Sequence, residues 1–213
     1  MKIVCLLFLA LTIIPWSGAA ADVYWTDWTS TSTSQVNGTL SFGPQTVNVT
    51  FSGSYAFAQL SSGTDYWIEN SPKPYTSATV PNRPPAPDII GLNAGGLATI
   101  SFSQPVLDPL VALVSWNGNT VDFNEPITIL SYGAGYWGYG TPILNSDGDG
   151  FYGSGEVHGV IELPGWHSSF SFSHTSEYWH GLTVGARAVI PLPPTVWLLG
   201  SGLVSLLTLR RFI

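Results

Sequence analysis

Acidic residues and histidines are concentrated in the last third of the chain, and their residue types suit two kinds of chemistry. The group comprises Glu156, His158, Glu162, His167, His174, Glu177 and His180. Glu156 and His158 would share one face of a strand, because alternate side chains of a β-strand point the same way. Such groups can form a transition-metal site or the carboxylate pair of a glycoside hydrolase, but a linear sequence gives no distances between strands.

The alternative is that these side chains only stabilise local structure. Glu177 and His180 would then hydrogen-bond the neighbouring backbone at the end of a strand. The sequence contains no nucleophile elbow, no His-Glu-x-x-His motif and no phosphate-binding loop. We therefore assign no catalytic residue and expect a non-enzymatic protein. A polysaccharide-acting hydrolase that uses Glu156 or Glu177 is retained as the alternative.

A second candidate site has the spacing of a calcium-binding loop. Asn145, Asp147 and Asp149 occupy positions 1, 3 and 5 of such a loop, a glycine occupies position 6, and Glu156 supplies a carboxylate at position 12. The flanking residues are typical of strands rather than helices, so this is not an EF-hand. Asp-Gly-Asp-Gly is also a good hairpin turn, and the segment from Asn145 to Gly150 is a Ca²⁺ site or a plain turn.

Aromatic residues form the third candidate site. The stretch from Tyr132 to Gly140 holds four aromatic side chains separated by glycines and one alanine, which are too small to bury them. We expect a loop at one end of the domain with at least one exposed ring. Tyr136, Trp137 and Tyr139 are the candidates for stacking on a sugar ring, whereas the alternative is that these aromatic residues fill the core.

The elements that must position these residues are β-strands. Residues 46–52, 99–103 and 169–173 alternate between apolar and polar side chains, which is typical of strands with one exposed face. The stretch from Leu110 to Trp116 is apolar almost throughout, which predicts a central strand buried on both faces. No stretch has a helical period. Further strands are expected near residues 23–29, 36–42, 54–60, 64–69, 87–92, 127–131, 155–163 and 177–187.

The strand pattern predicts one all-β domain over residues 22–189, a jelly-roll-like β-sandwich. Residues 71–87 contain six prolines and are expected to form a long surface loop. Trp25 and Trp28 lie in a predicted strand and are expected to be core residues.

Charge and cysteine content exclude several classes of partner and chemistry. Only 9% of the chain is charged, compared with roughly 25% in an average globular domain. Residues 22–189 carry three cations and all 13 acidic residues, a net charge of −10, so nucleic acid is a poor partner. The single cysteine is Cys5, which lies in a segment that we expect to be removed, so the mature domain has no thiol chemistry.

Both ends of the chain carry sequences typical of export. Residues 1–21 combine Lys2, an apolar stretch and three consecutive alanines, the pattern of a secretory signal peptide. Residues 188–209 carry no charge and end at Arg210 and Arg211. This pattern predicts a transmembrane helix over residues 195–209 that anchors the precursor in the inner membrane, with the basic pair on the cytoplasmic side.

The C-terminal segment, residues 190–213, resembles the PEP-CTERM sorting signal. It contains Pro191-Leu192-Pro193 where the commonest version has Pro-Glu-Pro, followed by Trp197-Leu198-Leu199-Gly200-Ser201-Gly202-Leu203 and the basic pair Arg210-Arg211. The Pro-Leu-Pro form matches a recognised variant. The resemblance implies recognition by an exosortase-like processing enzyme in a Gram-negative bacterium that makes exopolysaccharide.

The body of the chain is also similar to PEP-CTERM exported proteins of unassigned function. The matching pieces are residues 25–29, 84–90, 100–106, 129–133 and 177–185. The resemblance implies a secreted β domain of the cell envelope or biofilm matrix, and it provides no catalytic motif. Exopolysaccharide is the candidate ligand because exposed aromatic rings on a β scaffold can stack on sugar rings.

Deleting residues 191–213 is expected to release the protein from membranes and to leave its β-sheet circular dichroism spectrum unchanged, because the uncharged segment is predicted to be an anchor and not part of the core. The measurement is membrane fractionation followed by circular dichroism. Aggregation of the truncated protein, or loss of its β-sheet spectrum, would contradict the prediction.

Overall fold

The computed structural model describes residues 22–187, which form fifteen β-strands and no helix. The all-β prediction is therefore confirmed for this part of the chain, and none of its elements is a helix able to cross a membrane. The predicted signal peptide 1–21 and the sorting segment 190–213, with its predicted transmembrane helix 195–209, lie outside the described residues. The strands are β1 (Val23–Trp25), β2 (Asp27–Thr31), β3 (Gln35–Phe42), β4 (Gln45–Ser52), β5 (Phe57–Gln59), β6 (Ile89–Leu92), β7 (Gly96–Leu107), β8 (Leu110–Trp116), β9 (Thr120–Asp122), β10 (Thr128–Gly135), β11 (Gly138–Leu144), β12 (Gly150–Gly155), β13 (Val157–Glu162), β14 (Trp166–His174) and β15 (His180–Arg187).

The strands follow one antiparallel hydrogen-bonded path that folds over on itself. Its order is β2-β3-β4-β7-β14-β9-β12-β11-β10-β13-β8-β15-β6-β5, with β1 added to β15. The first eight strands of the path form one layer, sheet 1, and the others form a second layer, sheet 2. The β10–β11 hairpin joins the two layers. The result is a nearly closed, barrel-like sandwich.

The main core lies between the two layers. It combines the inward side chains of both sheets, and burying each large one contributes about 1.5–3 kcal/mol. Its members include Val36, Leu40, Val49, Phe51, Ile100 and Phe172 from sheet 1, and Ile90, Val111, Leu113, Leu182 and Val184 from sheet 2. Trp28 belongs to this core and Trp25 to a second cluster, so both are buried as predicted.

Strand β8 is buried on both faces, as its continuous apolar run predicts. All seven of its residues are buried. Val111 and Leu113 point into the main core. Leu110, Ala112 and Val114 point to the opposite side and belong to the second cluster, on the outer face of sheet 2. Because an outer face with these side chains cannot be left in water without loss of stability, another part of the chain must cover it.

The cover is the segment between β5 and β6, residues 60–88, which we call the cover segment. It forms no strand, yet its side chains Trp67, Tyr75 and Val80 are fully buried against the outer face of sheet 2. The Tyr75 hydroxyl donates a hydrogen bond of 3.2 Å to the Leu113 carbonyl of β8. Residues 71–87 form a long loop without regular structure, as predicted, and most of its residues are exposed or half-buried. The sequence did not predict that Tyr75 and Val80 of this loop are buried against sheet 2.

The structure corrects other strand predictions. Residues 64–69 belong to the cover segment and form no strand, and only Phe57–Gln59 of the region 54–60 is a strand. The predicted aromatic loop 132–140 is a hairpin made of β10 and β11. Glycine-rich strands such as β11 and β12 escape the sequence pattern because alternating side chains, the signal of a strand, are largely missing from them.

Trp67→Ala is expected to lower the free energy of unfolding by about 3–5 kcal/mol, the usual cost of removing a buried tryptophan side chain. Ile68→Ala is the matched control because Ile68 lies next in the chain and is 40% exposed, and we expect it to cost no more than about 1 kcal/mol. Urea unfolding of both variants measures the difference. Equal, small effects would mean that the cover segment does not stabilise the fold.

Candidate functional site

A cleft of about 820 Å³ lies at one end of sheet 2. In an antiparallel sheet the last residues of one strand lie beside the first residues of its neighbours. The ends of β6, β8 and β10 therefore meet the starts of β5, β13 and β15 at this edge. The cleft is lined by Ala56, Phe57, Tyr66, Asn93, Ser115, Asn117, Trp137, Glu156, Glu177, Tyr178 and Trp179. Its size is that of an ordinary small-ligand site.

One wall of the cleft is a continuous series of aromatic rings. Phe57 and Trp179 are stacked with their centroids 5.9 Å apart and their planes at 12°. Tyr66 of the cover segment lies 5.0 Å from Trp179 and also 5.0 Å from Tyr136. Tyr136 in turn packs edge-on against Trp137 at 4.8 Å. The rings hold one another in place, so the wall is organised before any ligand binds.

Trp137 lies at the cleft because a tight hairpin holds it there. Tyr136 and Trp137 form the two-residue turn between Gly135 and Gly138, which pair with each other. Gly138 has φ +124°, a conformation that favours glycine. Gly140 lies so close to the chain at Gly155 and Glu156 that an added Cβ would come within about 2.6 Å of their backbone. The hairpin therefore packs directly against the segment that carries Glu156.

The structure separates the three glycan candidates. Trp137 lines the cleft and is 55% exposed. Tyr136 supports it from behind and contacts Tyr66. Tyr139 is also exposed, but it faces Tyr132, 6.5 Å away, and does not line the cleft. The three rings are exposed, as expected of this segment, but only Trp137 lines the cleft.

Glu156 enters the cleft from the junction of β12 and β13. Its two carboxylate oxygens are separately held: one contacts the Ser115 hydroxyl, and the other accepts a 2.8 Å hydrogen bond from the Asn117 side-chain amide. Ser115 has φ +58°, and the pairing of β8 with β13 shifts by one residue there, which marks a β-bulge. The bulge changes the alternation of β8, so that Trp116 enters the main core and Ser115 reaches Glu156.

Glu177 lines the cleft just before β15. Burial, with a further contribution from the negative charge of Glu156, raises the pKa of Glu177 to about 7. One of its oxygens accepts a 3.4 Å hydrogen bond from the Asn117 backbone amide. The same oxygen lies 3.5 Å from Nδ1 of His180. A carboxyl group with this pKa holds its proton over much of the neutral range, unlike an ordinary glutamate.

Two buried histidines lie behind Glu177. His180 is fully buried, and its Nε2 lies 3.0 Å from Nδ1 of His174. Burial, and to a lesser degree His174, lowers the pKa of His180 to about 3, so it is neutral at pH 7. Burial also lowers the pKa of His174. Trp116 packs edge-on against His180 at 4.4 Å and fixes the ring. His180 is therefore a neutral neighbour of Glu177 and does not offset the charge of its carboxylate.

Asn117 joins the two carboxylates. Its side chain binds Glu156 and its backbone amide binds Glu177. Since the two nitrogens of one asparagine are at most about 5 Å apart, the bound oxygens of the two glutamates lie within about 11 Å of each other. The structure thus brings together the two residues that the sequence proposed for a hydrolase.

The remaining acidic residues and histidines of the predicted group lie elsewhere. Glu162 forms an ion pair with Arg187, and His167 lies 3.5 Å from Glu125. His158 is buried below the cover segment, with its Nδ1 3.1 Å from the Tyr75 hydroxyl. The prediction that Glu156 and His158 share a strand face is wrong, because Glu156 precedes β13. Among residues 22–187, no group of three or more histidine, cysteine or acidic side chains is arranged to hold a metal ion.

The four residues proposed as calcium ligands do not converge. The side-chain oxygen of Asn145 accepts hydrogen bonds from the backbone amides of Asp149 and Gly150, and its amide donates to Asp149 at 2.6 Å. These contacts make the segment a turn in which the Asn145 side chain is the hydrogen-bond partner of the backbone amides of Asp149 and Gly150. Asp147 lies in the same turn and contacts Ser146. Glu156 lies at the other end of β12, in the cleft, and this corrects the predicted ligand set.

Sequence reasoning missed Ser115, Asn117 and Asn93 as cleft residues. No local motif marks these three, although the isolated polar residue at the end of the apolar run of β8 was a usable signal.

No protein-family model, curated protein or solved structure matches this chain.

Glu177→Gln is expected to stabilise the protein at pH 8 and to change its stability little at pH 4.5. Between its ordinary pKa, about 4.3, and about 7, native Glu177 keeps a proton that the unfolded chain has lost, so the stability of the wild type falls as pH rises through this window. Glutamine never carries the unfavourable charge. Urea unfolding at pH 4.5, 6 and 8 measures both proteins, and a difference that does not grow with pH would contradict the assignment.

Proposed function

We propose that this chain is an exported protein of the cell surface or extracellular matrix whose β-sandwich binds a neutral exopolysaccharide in the cleft at the end of sheet 2. The aromatic wall supports the ligand class. Flat apolar ring faces beside hydrogen-bonding groups suit sugar rings, which have apolar faces and hydroxyl edges.

The charge of the site favours a neutral glycan over an acidic one. The residues that line the cleft include Glu156 and Glu177 and no lysine or arginine. Residues 22–189 carry a net charge of −10. A polymer of uronic acids or sulfated sugars would meet repulsion over the whole domain and find no cation in the cleft to pair with.

The proposed route of export rests on the two ends of the sequence. Residues 1–21 would direct secretion, and the variant PEP-CTERM signal, with Pro191-Leu192-Pro193 and the basic pair Arg210-Arg211, would hold the precursor in the inner membrane for an exosortase-like enzyme. We infer further that the sandwich is of the jelly-roll type. After β4 the chain passes repeatedly between the two layers, and the two layers of a jelly roll are connected in a similar way.

The observation that carries the proposal is the position of Trp137. It is exposed, it is held by a tight turn, and it stands at the mouth of a cleft whose other wall carries hydrogen-bonding groups. Because the turn holds its backbone and Tyr136 packs against its ring, a bound sugar would cost Trp137 little side-chain entropy.

Trp137→Ala is expected to weaken retention of the full chain, purified in detergent, on the producing cell's own exopolysaccharide about tenfold, since loss of one stacking ring costs about 1.4 kcal/mol. Tyr139→Ala is the matched control. Tyr139 lies on the same hairpin and has a similar exposure, 51% against 55%, but it does not line the cleft, so we expect retention within about twofold of wild type. Affinity electrophoresis in the polysaccharide measures both. Equal retention of the two variants would contradict the assignment of the cleft.

A further inference from the structure

We propose that the cleft hydrolyses the neutral glycan that it binds, with Glu177 as the proton donor to the glycosidic oxygen and Glu156 as the base that activates water. This proposal rests on the proposed function, because the same cleft must first bind the polymer. The cleft would then cleave the glycan as well as bind it.

The first support is the position of the two acids on opposite sides of β8. Glu156 immediately precedes β13 and Glu177 precedes β15, and these two strands flank β8. Neighbouring strands are about 4.8 Å apart, so the two backbones are separated by about 10 Å. Both side chains reach Asn117. In inverting glycosidases the two carboxyl groups are about 6.5–9.5 Å apart, which leaves room for a sugar and a water between them.

The second support is that the two carboxyl groups have different surroundings. Both oxygens of Glu156 accept hydrogen bonds, from Ser115 and Asn117, and these two contacts fix the orientation of the carboxylate that would take the proton of water. Burial raises the pKa of Glu177 to about 7, and this lets Glu177 keep a proton to donate. The titratable group in contact with Glu177 is His180 from β15, and those that line the cleft with it are Glu156 from the β12–β13 junction, Tyr66 from the cover segment and Tyr178, the next residue in the chain.

The third support is a buried nitrogen of His180 that has no hydrogen-bond partner. Nδ1 of His180 is buried and makes no hydrogen bond within residues 22–187, but it lies 3.5 Å from the carboxylate of Glu177. An unpaired buried nitrogen is costly to stability. It gains a partner when the carboxyl group of Glu177 moves or rotates during proton transfer, so His180 is a positioning residue for Glu177.

The proposed step is balanced in atoms and electrons. Water attacks the anomeric carbon and loses one proton to Glu156, while the bond from that carbon to the glycosidic oxygen breaks and the oxygen takes the proton of Glu177. The products are one sugar with a new reducing end and one with a free hydroxyl group. Glu156 is left protonated and Glu177 ionised, and proton exchange with solvent restores both. No oxidant, reductant or cofactor takes part.

A competing reaction, β-elimination, is disfavoured by the same charges. Elimination needs a uronic acid, whose carboxylate must be neutralised by a cation or a hydrogen-bond donor while a proton is removed beside it. The lining residues contain no cation, and two glutamates would repel the acidic sugar.

The experiment uses the full chain, purified in detergent, with the producing cell's purified exopolysaccharide as the probe. Reducing ends are measured over time, binding is measured by affinity electrophoresis, and the configuration of the first product is read by NMR. We expect release of reducing ends with inversion, and a rate that falls as the pH rises above about 7. Glu177→Gln and Glu156→Gln should each lower the rate at least a hundredfold and keep binding within about threefold.

Glu125→Gln is the control, because Glu125 lies near His167 outside the cleft and should leave the rate unchanged. His180→Asn should shift the pH profile more than it changes binding. Binding by the wild type without release of reducing ends overturns the hydrolysis and leaves the proposed binding function intact, whereas absence of binding overturns both. Cleavage by Glu177→Gln at the wild-type rate, or a product with retained configuration, overturns the assigned roles.

Discussion

The fold depends on one constraint: strand β8 has no face that can be left in water. Its seven residues are buried, with alternate side chains on opposite sides. The inner side is covered by sheet 1, as in any sandwich. The outer side is covered by a segment without regular structure, residues 60–88, whose rings Trp67 and Tyr75 supply the missing apolar area. A sandwich of this kind is therefore three layers deep at β8, and its third layer is irregular.

The cleft lies where β8 ends and is no longer buried on both faces. At Ser115 the alternation of side chains between the two buried faces of β8 is interrupted. Ser115 forms a bulge with a positive φ, and the bulge directs the next side chain, Trp116, into the main core. Strain of this kind, about 1–3 kcal/mol, persists only where the surrounding strands leave no alternative, as β13 and β15 do here. The cover segment passes close to this point and contributes Tyr66 to the aromatic wall. The cleft is thus formed where the sheet, the bulge and the cover meet.

The sequence predicts the parts of this structure that depend on neighbours in the chain. Period-two alternation identifies β4, β7 and β14, and the continuous apolar run identifies β8 as the central strand. It does not predict that Tyr75 and Val80 of the proline-rich segment are buried, because the surface that buries them is made by β8, far along the chain. In the same way, the local pattern made Tyr136, Trp137 and Tyr139 equivalent, whereas the pairing of β10 with β11 points only one of them into the cleft. Glu156 and Glu177 are brought together through β8, which neither residue adjoins in sequence.

The pKa of Glu177 depends on the charge of the histidine beside it. A charged histidine behind Glu177 would favour its carboxylate form, but His180 is buried against Trp116 and His174, and its pKa is lowered to about 3. The charge of Glu177 is therefore left uncompensated, and burial together with the nearby Glu156 keeps the proton on Glu177. Glu156, by contrast, is held by two donors that come from the bulge and from the residue after β8. The two glutamates thus differ in their surroundings, since Glu177 lies beside a buried, neutral histidine and Glu156 lies between two hydrogen-bond donors.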